Sequence, residues 1–155
     1  MTDRPGVYLA LVHHPIRDRA GGTITTSVTN LDVHDLARTG RTYGLRGYFV
    51  VTPVEAQQAL VTHIVGHWRA GEGGQRVPER AEAMRLVQTA PSLEAVCQEL
   101  QRIEGAAPTV VTFTGALPSA AVMAATASAR DGTSRTIESA SARSGTRVEP
   151  PPSRQ

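Results

Sequence analysis

The segment from Thr29 to Pro53 constrains the fold of this chain more than any other, because it joins a capped helix to a buried strand. A short polar side chain at Thr29 or Asn30 can accept hydrogen bonds from the free amides of a first helical turn. Gly44 provides the left-handed residue that ends many helices. The apolar residues 48–51 follow at once. This order predicts a helix, a glycine turn and a strand.

The other residues before position 115 also predict strands that alternate with helices. Residues 7–12 are continuously apolar, which is typical of a strand covered on both faces. Residues 16–26 contain paired glycines and predict an exposed loop. Three further helices and one further strand are predicted, over residues 54–69, 78–91, 92–104 and 109–113. The order β-α-β-α-α-α-β predicts an α/β fold, a parallel sheet with helices on both faces.

The helix predicted over residues 54–69 has two sequence signals. The string Thr52-Pro53-Val54-Glu55 matches a capping box with proline at the first helical position. Ala56, Leu60, Ile64 and Trp68 recur every four residues and predict one apolar stripe.

The chain changes character after Gly115. The 40 residues 116–155 include 9 Ala, 7 Ser and 5 Arg and no aromatic residue. Residues 120–129 could form a short helix, but the segment has little apolar surface to bury against its chain entropy. We therefore predict a domain over residues 6–115 and a low-complexity, disordered tail over residues 116–155.

The positive net charge belongs to this tail. Residues 1–115 contain 11 Arg against 11 Asp and Glu, whereas residues 116–155 contain 5 Arg against 3 acidic residues. The basic isoelectric point is therefore poor support for a nucleic-acid surface on the domain, and no DNA partner is expected. Cys97 is the only cysteine, and the apolar run 7–12 is too short for a membrane span or a signal peptide. We expect a cytoplasmic protein without a membrane partner.

A few residues have the chemistry of a binding site. Arg38 and Arg41 lie three residues apart near the end of the first helix, where their guanidinium groups can clamp phosphate or form ion pairs with Asp35 or Asp32. His63 and His67 have chelating spacing, but no third ligand accompanies them, so no metal site is expected.

The strings around these residues resemble the first motif of SPOUT-superfamily methyltransferases. That motif has an asparagine, then Arg-Thr, then an aromatic-glycine pair before a strand. Here the corresponding residues are Asn30, Arg38-Thr39 and Tyr43-Gly44, followed by a strand that ends at Val51-Thr52-Pro53.

More narrowly, the chain resembles a small bacterial family of S-adenosylmethionine-dependent RNA methyltransferases. The family strings correspond here to residues 7–13, 29–35, 37–39 and 51–57, and the resemblance covers roughly residues 6–112. It implies a SPOUT-like α/β knot fold, a homodimer, and methyl transfer from S-adenosylmethionine to RNA. It also implies that Arg38 is catalytic, that Arg41 and Asn30 bind RNA, and that Thr112 borders the cofactor. From the residues alone, helix capping is the better explanation for Asn30.

The family pattern is not continued after Thr112. The superfamily places a glycine-rich cofactor loop and a knot in its last third, whereas this chain reads Ala116-Leu-Pro-Ser-Ala-Ala and then the tail. The composition of the tail is what GC-rich DNA gives when it is read out of frame. We therefore predict a chain truncated or altered after about residue 115 and inactive for lack of cofactor motifs. The alternative is a non-catalytic α/β fragment, or a module that binds RNA or a partner.

Overall fold

The structure, a computed structural model, describes residues 6–113 and the backbone of residues 121–127. In chain order the elements are β1 (Val7–Val12), β2 (Ile16–Arg17), β3 (Thr23–Ile24), α1 (Asn30–Thr42), β4 (Gly47–Val51), α2 (Glu55–Ala70), α3 (Glu72–Arg76), α4 (Pro78–Met84), β5 (Val87–Ala90), α5 (Leu93–Glu104), β6 (Pro108–Phe113) and β7 (Ala121–Ala127). No helix in the described part is long and apolar enough to cross a membrane.

The main sheet has the strand order β5-β4-β1-β7-β6. Strands β1, β4 and β5 are parallel, as predicted. Strand β7 runs antiparallel to both β1 and β6. Strand β6 therefore has the same direction as β1, and the carboxyl ends of β1, β4, β5 and β6 lie at one edge of the sheet. This α/β architecture confirms the predicted fold class.

Helices cover both faces of the sheet because side chains alternate along its strands. On one face, Val33 of α1, Val61 of α2 and Met84 of α4 pack in one buried cluster with residues of β1 and β4. On the other face, Val96 and Leu100 of α5 pack in a second buried cluster. Burial of each such aliphatic side chain contributes about 1.5–3 kcal/mol. The first of these clusters fixes α1 and α4 side by side.

Strand β5 was not predicted. Its four residues lie in what reads as the end of a helix, but α4 ends at Met84 and residues 87–90 pair with Tyr48–Val51 of β4. A four-residue strand is too short to show a period of two, so Leu86 and Val87 fit either element. Pairing with β4 decides, because it buries Val87 and Ala90.

The predicted start of α2 is wrong by two residues. Thr52 is not the helix cap, because its amide donates to Ala90 O at 3.0 Å and so still belongs to the sheet. Its Oγ1 accepts from the Val54 amide at 3.3 Å, and the helix begins at Glu55 without a side-chain cap. Pro53 therefore lies outside α2.

The predicted apolar stripe of α2 is also displaced. Val61 and Val65 are the buried residues, whereas Leu60 is 45% exposed and Ile64 and Trp68 are half-buried. A spacing of four residues drifts by about 40° per step around a helix with 3.6 residues per turn. The stripe therefore leaves the protein interior at its amino end.

Residues 16–26 contain a small hairpin within the predicted loop. Ile16 pairs with Ile24 across β2 and β3, and Ile16 is buried. The Asp18 carboxylate accepts hydrogen bonds from the amides of Ala20 and Gly22 at 2.9 and 2.7 Å, which closes the turn.

The helix, turn and strand predicted between Thr29 and Val51 are present, with one correction at the helix cap. Thr29 is the cap of α1: its side chain accepts from the Asp32 amide, and the Asp32 carboxylate accepts from the Thr29 amide. Asn30 is the first helical residue, so its assignment as the cap is wrong. Gly44 has a φ of 69° and terminates the helix as expected.

The predicted tail lies mostly outside the described residues. Residues 114–120 and 128–155, and with them the region of the expected knot, are not described. Residues 121–127 are a strand, so the short helix considered over residues 120–129 is wrong there. Pairing on both sides with β1 and β6 provides the hydrogen bonds that this alanine-rich sequence needs to be a strand.

Candidate functional site

A groove between α1 and α4 brings together three arginine side chains. Its cavity of about 530 Å³ is lined by Arg38, Arg41, Thr42, Val77, Glu79, Arg80 and Ala83. A shallower cavity of about 380 Å³ continues past Arg38 towards Asp35, Thr39 and Tyr43. We call this surface the α1–α4 groove. Three arginines from two helices line it.

The two arginines of α1 differ in their partners. Arg41 forms an ion pair and hydrogen bond with Glu82 of α4, and both side chains are partly exposed. Arg38 lies 4.0 Å from Asp35, with 63% of its side chain exposed. Exposed ion pairs of this kind contribute about 0–1 kcal/mol, so either arginine can exchange its carboxylate for another anion at small cost.

The third arginine has an aromatic partner. The guanidinium carbon of Arg80 lies 4.6 Å from the centroid of the Trp68 ring. Trp68 in turn makes edge contacts with the rings of His34 and His67, at centroid distances of 5.5 and 5.3 Å. These four side chains come from α1, α2 and α4 and form a stack under the groove, which we call the Trp68 stack.

His34 is the member of this stack with an unsatisfied ring nitrogen. Its Nδ1 is buried without a hydrogen-bond partner. Burial lowers the pKa of His34, and the nearby charge of Arg80 lowers it further. The imidazole is therefore held neutral beside the cationic groove.

The chemistry of the α1–α4 groove is anion recognition. Guanidinium groups offer planar pairs of donors that match the oxygens of phosphate and carboxylate. Glu79 lines the groove and Glu82 pairs with Arg41, so an incoming anion would compete with exposed carboxylates and not with buried contacts.

The structure separates the predicted site residues into two groups. Arg38 and Arg41 lie together at the groove. Asn30, eight residues before Arg38 on α1, is about 12 Å away along the helix axis. Thr112 lies level with Ala10 in the sheet, because both pair with Met123 of the intervening β7.

The first turn of α1 lies at the carboxyl edge of the sheet. His13 directly follows β1, is buried, and places Nδ1 2.9 Å from Thr26 Oγ1. Its Nε2 has no hydrogen-bond partner. Burial lowers the pKa of His13, an effect that the Asp32 carboxylate opposes. Ligands of open α/β sheets bind outside this edge, where the connections diverge to the two faces.

His63 and His67, the histidines with chelating spacing, have no third candidate ligand beside them in the described part of the chain. No group of three His, Cys, Asp or Glu side chains lies together among the described residues. His67 is instead part of the Trp68 stack.

Sequence reasoning missed Arg80 and Trp68. They are twelve residues apart, and only the packing of α2 and α4 brings them together. Trp68 was assigned to a core stripe, and no local pattern marks Arg80.

Comparison with known proteins identifies the class to which this fold and groove belong. The sequence profile described as SAM-dependent RNA methyltransferase, where SAM is S-adenosylmethionine, matches residues 6–140. The chain belongs to this family of RNA methyltransferases. The match continues past Gly115 into the residues predicted to be a tail.

Longer relatives contain a segment similar to this chain. A protein of Oleidesulfovibrio alaskensis and one of Nitratidesulfovibrio vulgaris, both named tRNA (guanine-N(1)-)-methyltransferase, are 38% and 40% identical over 111 residues. That region is 70% of this chain and 26% of each relative. An uncharacterized protein of Aquifex aeolicus is 35% identical over 105 residues, 68% of this chain and 51% of that protein. The chain therefore spans a quarter to a half of these relatives.

Proposed function

We propose that this chain binds RNA in the α1–α4 groove as part of a methyl transfer from S-adenosylmethionine to RNA. The observation that carries the proposal is the convergence of Arg38, Arg41 and Arg80 on one cavity. RNA phosphates are the anions that a family of RNA methyltransferases must hold, and their neutralisation dominates RNA affinity. The names of the relatives from Oleidesulfovibrio alaskensis and Nitratidesulfovibrio vulgaris support transfer RNA as the substrate class.

Within this proposal, Arg38 is the catalytic arginine and Arg41 contacts RNA. Arg38 has the weaker carboxylate contact, so its guanidinium is available to the target nucleotide. To contact RNA, Arg41 must either keep its ion pair with Glu82 and bind the phosphate as well, or break that ion pair. Asn30 contacts RNA from the other end of α1, and its exposed position at the first helical turn permits this.

The cofactor is proposed to lie at the carboxyl edge of the sheet, bordered by Thr112. The described residues fit a polar group there, since the buried Nε2 of His13 lacks a partner at the same edge. S-adenosylmethionine supplies the methyl group when bound. The protein residues orient the RNA towards it and exclude water.

A second candidate function is a non-catalytic RNA-binding or partner-binding module. The sequence feature that favours it is the absence of a glycine-rich loop between Ala116 and Gln155. In this case the chain is altered after about residue 115 and is inactive by itself. Titration calorimetry with S-adenosylmethionine separates the two candidates: heat of binding supports the enzyme, and no heat with retained RNA binding supports the module.

The RNA interaction is tested by electrophoretic mobility shift with transfer RNA. Arg38→Ala is expected to weaken binding, whereas Arg69→Ala, which changes an exposed arginine on another surface, is expected to have no effect. Equal binding by wild type and Arg38→Ala would remove the groove from the proposal. A homodimer, tested by light scattering, is proposed on the resemblance alone, and a cytoplasmic location is proposed on the single cysteine and the short apolar run of residues 7–12.

A further inference from the structure

The groove contains a cation that neither the sequence motif nor the family assigns. We propose that Arg80 is a third RNA-contacting residue and that Trp68 is its positioning residue. This inference rests on the proposed function and deepens it. It predicts that RNA contacts both helices of the groove, α1 through Arg38 and Arg41 and α4 through Arg80.

The first argument concerns charge. In the described part of the chain, Arg80 forms no ion pair with a carboxylate, whereas Arg41 is paired with Glu82. Its neighbour Glu79 lines the same cavity but does not reach ion-pair distance. The positive charge of Arg80 is therefore less compensated than that of Arg41, and it faces the same cavity.

The second argument concerns order. An unpaired arginine on a surface samples many rotamers, and binding must restrict them at a cost in entropy. Arg80 is restricted before binding, because its guanidinium lies 4.6 Å from the Trp68 ring centroid. A planar guanidinium on an aromatic face keeps its edge donors available to phosphate.

The third argument concerns the support of Trp68 itself. The ring is held by perpendicular contacts with His34 of α1 and His67 of its own helix. Contacts from two helices fix its plane, and the half-buried ring cannot leave the stack without disturbing both. Trp68 therefore acts on RNA through Arg80 and not by contact.

The test is the salt dependence of RNA affinity, measured by fluorescence anisotropy with a labelled single-stranded RNA. Loss of one phosphate contact reduces the slope of log affinity against log salt by about 0.7. We expect this reduction and a roughly tenfold weaker affinity at low salt for Arg80→Ala, as for other charge-assisted contacts. The matched control Arg85→Ala, at the carboxyl cap of the same helix and outside the groove, should match wild type.

Two further variants separate charge from position. Arg80→Lys retains the charge and should retain the salt slope, but it loses the planar stack. Trp68→Phe retains an aromatic platform and should retain affinity, whereas Trp68→Leu should weaken it. The affinities of these three variants are compared after thermal melting has shown that each variant folds.

Trp68 also reports directly on the contact, since it is the only tryptophan in the sequence. Binding of RNA to Arg80 should change the intrinsic fluorescence of wild type and of Arg38→Ala, but not of Arg80→Ala. Unchanged slope and affinity in Arg80→Ala, with wild type binding RNA, would overturn this inference alone. Failure of wild type to bind RNA would overturn the proposed function as well.

Discussion

At the scale of residues, two adjacent side chains at the start of α1 have different tasks. Thr29 closes a reciprocal capping box with Asp32, and this leaves Asn30 exposed one position further on. An exposed asparagine without a capping task fits the RNA contact proposed for it. The distinction can be measured, because only one of the two side chains stabilises the helix.

We predict that Thr29→Ala lowers the free energy of unfolding by about 1 kcal/mol, the usual cost of a lost cap. Asn30→Ala should change it by less than about 0.5 kcal/mol, as for an exposed surface residue. Urea denaturation of both variants measures this. A larger loss in Asn30→Ala than in Thr29→Ala would contradict the assignment of the cap.

The buried histidines predict a pH dependence of stability. Burial lowers the pKa of His13 and of His34 below the ordinary value of 6.5, so the unfolded chain binds protons that the folded chain does not. Their contribution to stability is complete above pH 6.5 and is lost as the pH falls towards their folded pKa values.

The measurement is the free energy of unfolding between pH 7.5 and about 5, compared with the variant His13→Asn. Asparagine can retain the contact with Thr26 Oγ1 but does not titrate, so we expect a shallower dependence on pH. The absolute stability of the variant is not the test, because loss of the ring leaves a cavity. Parallel curves for the two proteins would show that His13 titrates normally.

At the scale of elements, the long helices were predictable and the short strands were not. The capping signals at Thr29 and Ser92 and the stops at Gly44 and Gly105 are local, so they identify α1 and α5 from the sequence. Strand β5 depends on pairing with β4 and could not be predicted.

The carboxyl end of α5 is joined to the sheet by Glu104. This residue accepts a 2.5 Å hydrogen bond from the Tyr8 hydroxyl and pairs with Arg46 at 2.9 Å. The burial of Tyr8 and this contact raise the pKa of the phenol to about 12. The ring of Tyr8 also packs against Gly47, where an added Cβ would lie 2.9 Å from Cδ1.

We therefore predict that Tyr8→Phe lowers the free energy of unfolding by about 1.5 kcal/mol, the value of a hydrogen bond to a charged acceptor. The matched control is Tyr43→Phe, the same chemical change on a side chain that is 79% exposed. Urea denaturation should detect a difference of about 1 kcal/mol or more between the two variants. Equal stabilities would mean that the contact with Glu104 contributes nothing.

At the scale of the whole molecule, the total charge argues against a nucleic-acid surface, whereas the local distribution of charge favours one. Residues 1–115 are neutral in sum, and this argued against a nucleic-acid surface on the domain. The fold nevertheless gathers Arg38, Arg41 and Arg80 at one groove. The first two are close in sequence and were predicted as a pair. The third requires α4 to pack beside α1, which no sequence pattern shows.

The central claim is that the α1–α4 groove binds RNA phosphates. Its most direct test is the salt dependence of RNA affinity for wild type, for the double variant Arg38→Ala/Arg41→Ala, and for the control Arg69→Ala/Arg85→Ala, which removes the same charge elsewhere. With single-stranded RNA we predict a slope lower by about 1.4 in the groove variant, for two lost phosphate contacts. The control should keep the wild-type slope. Equal slopes in the two double variants would contradict the claim, because RNA would then respond to net charge and not to the groove.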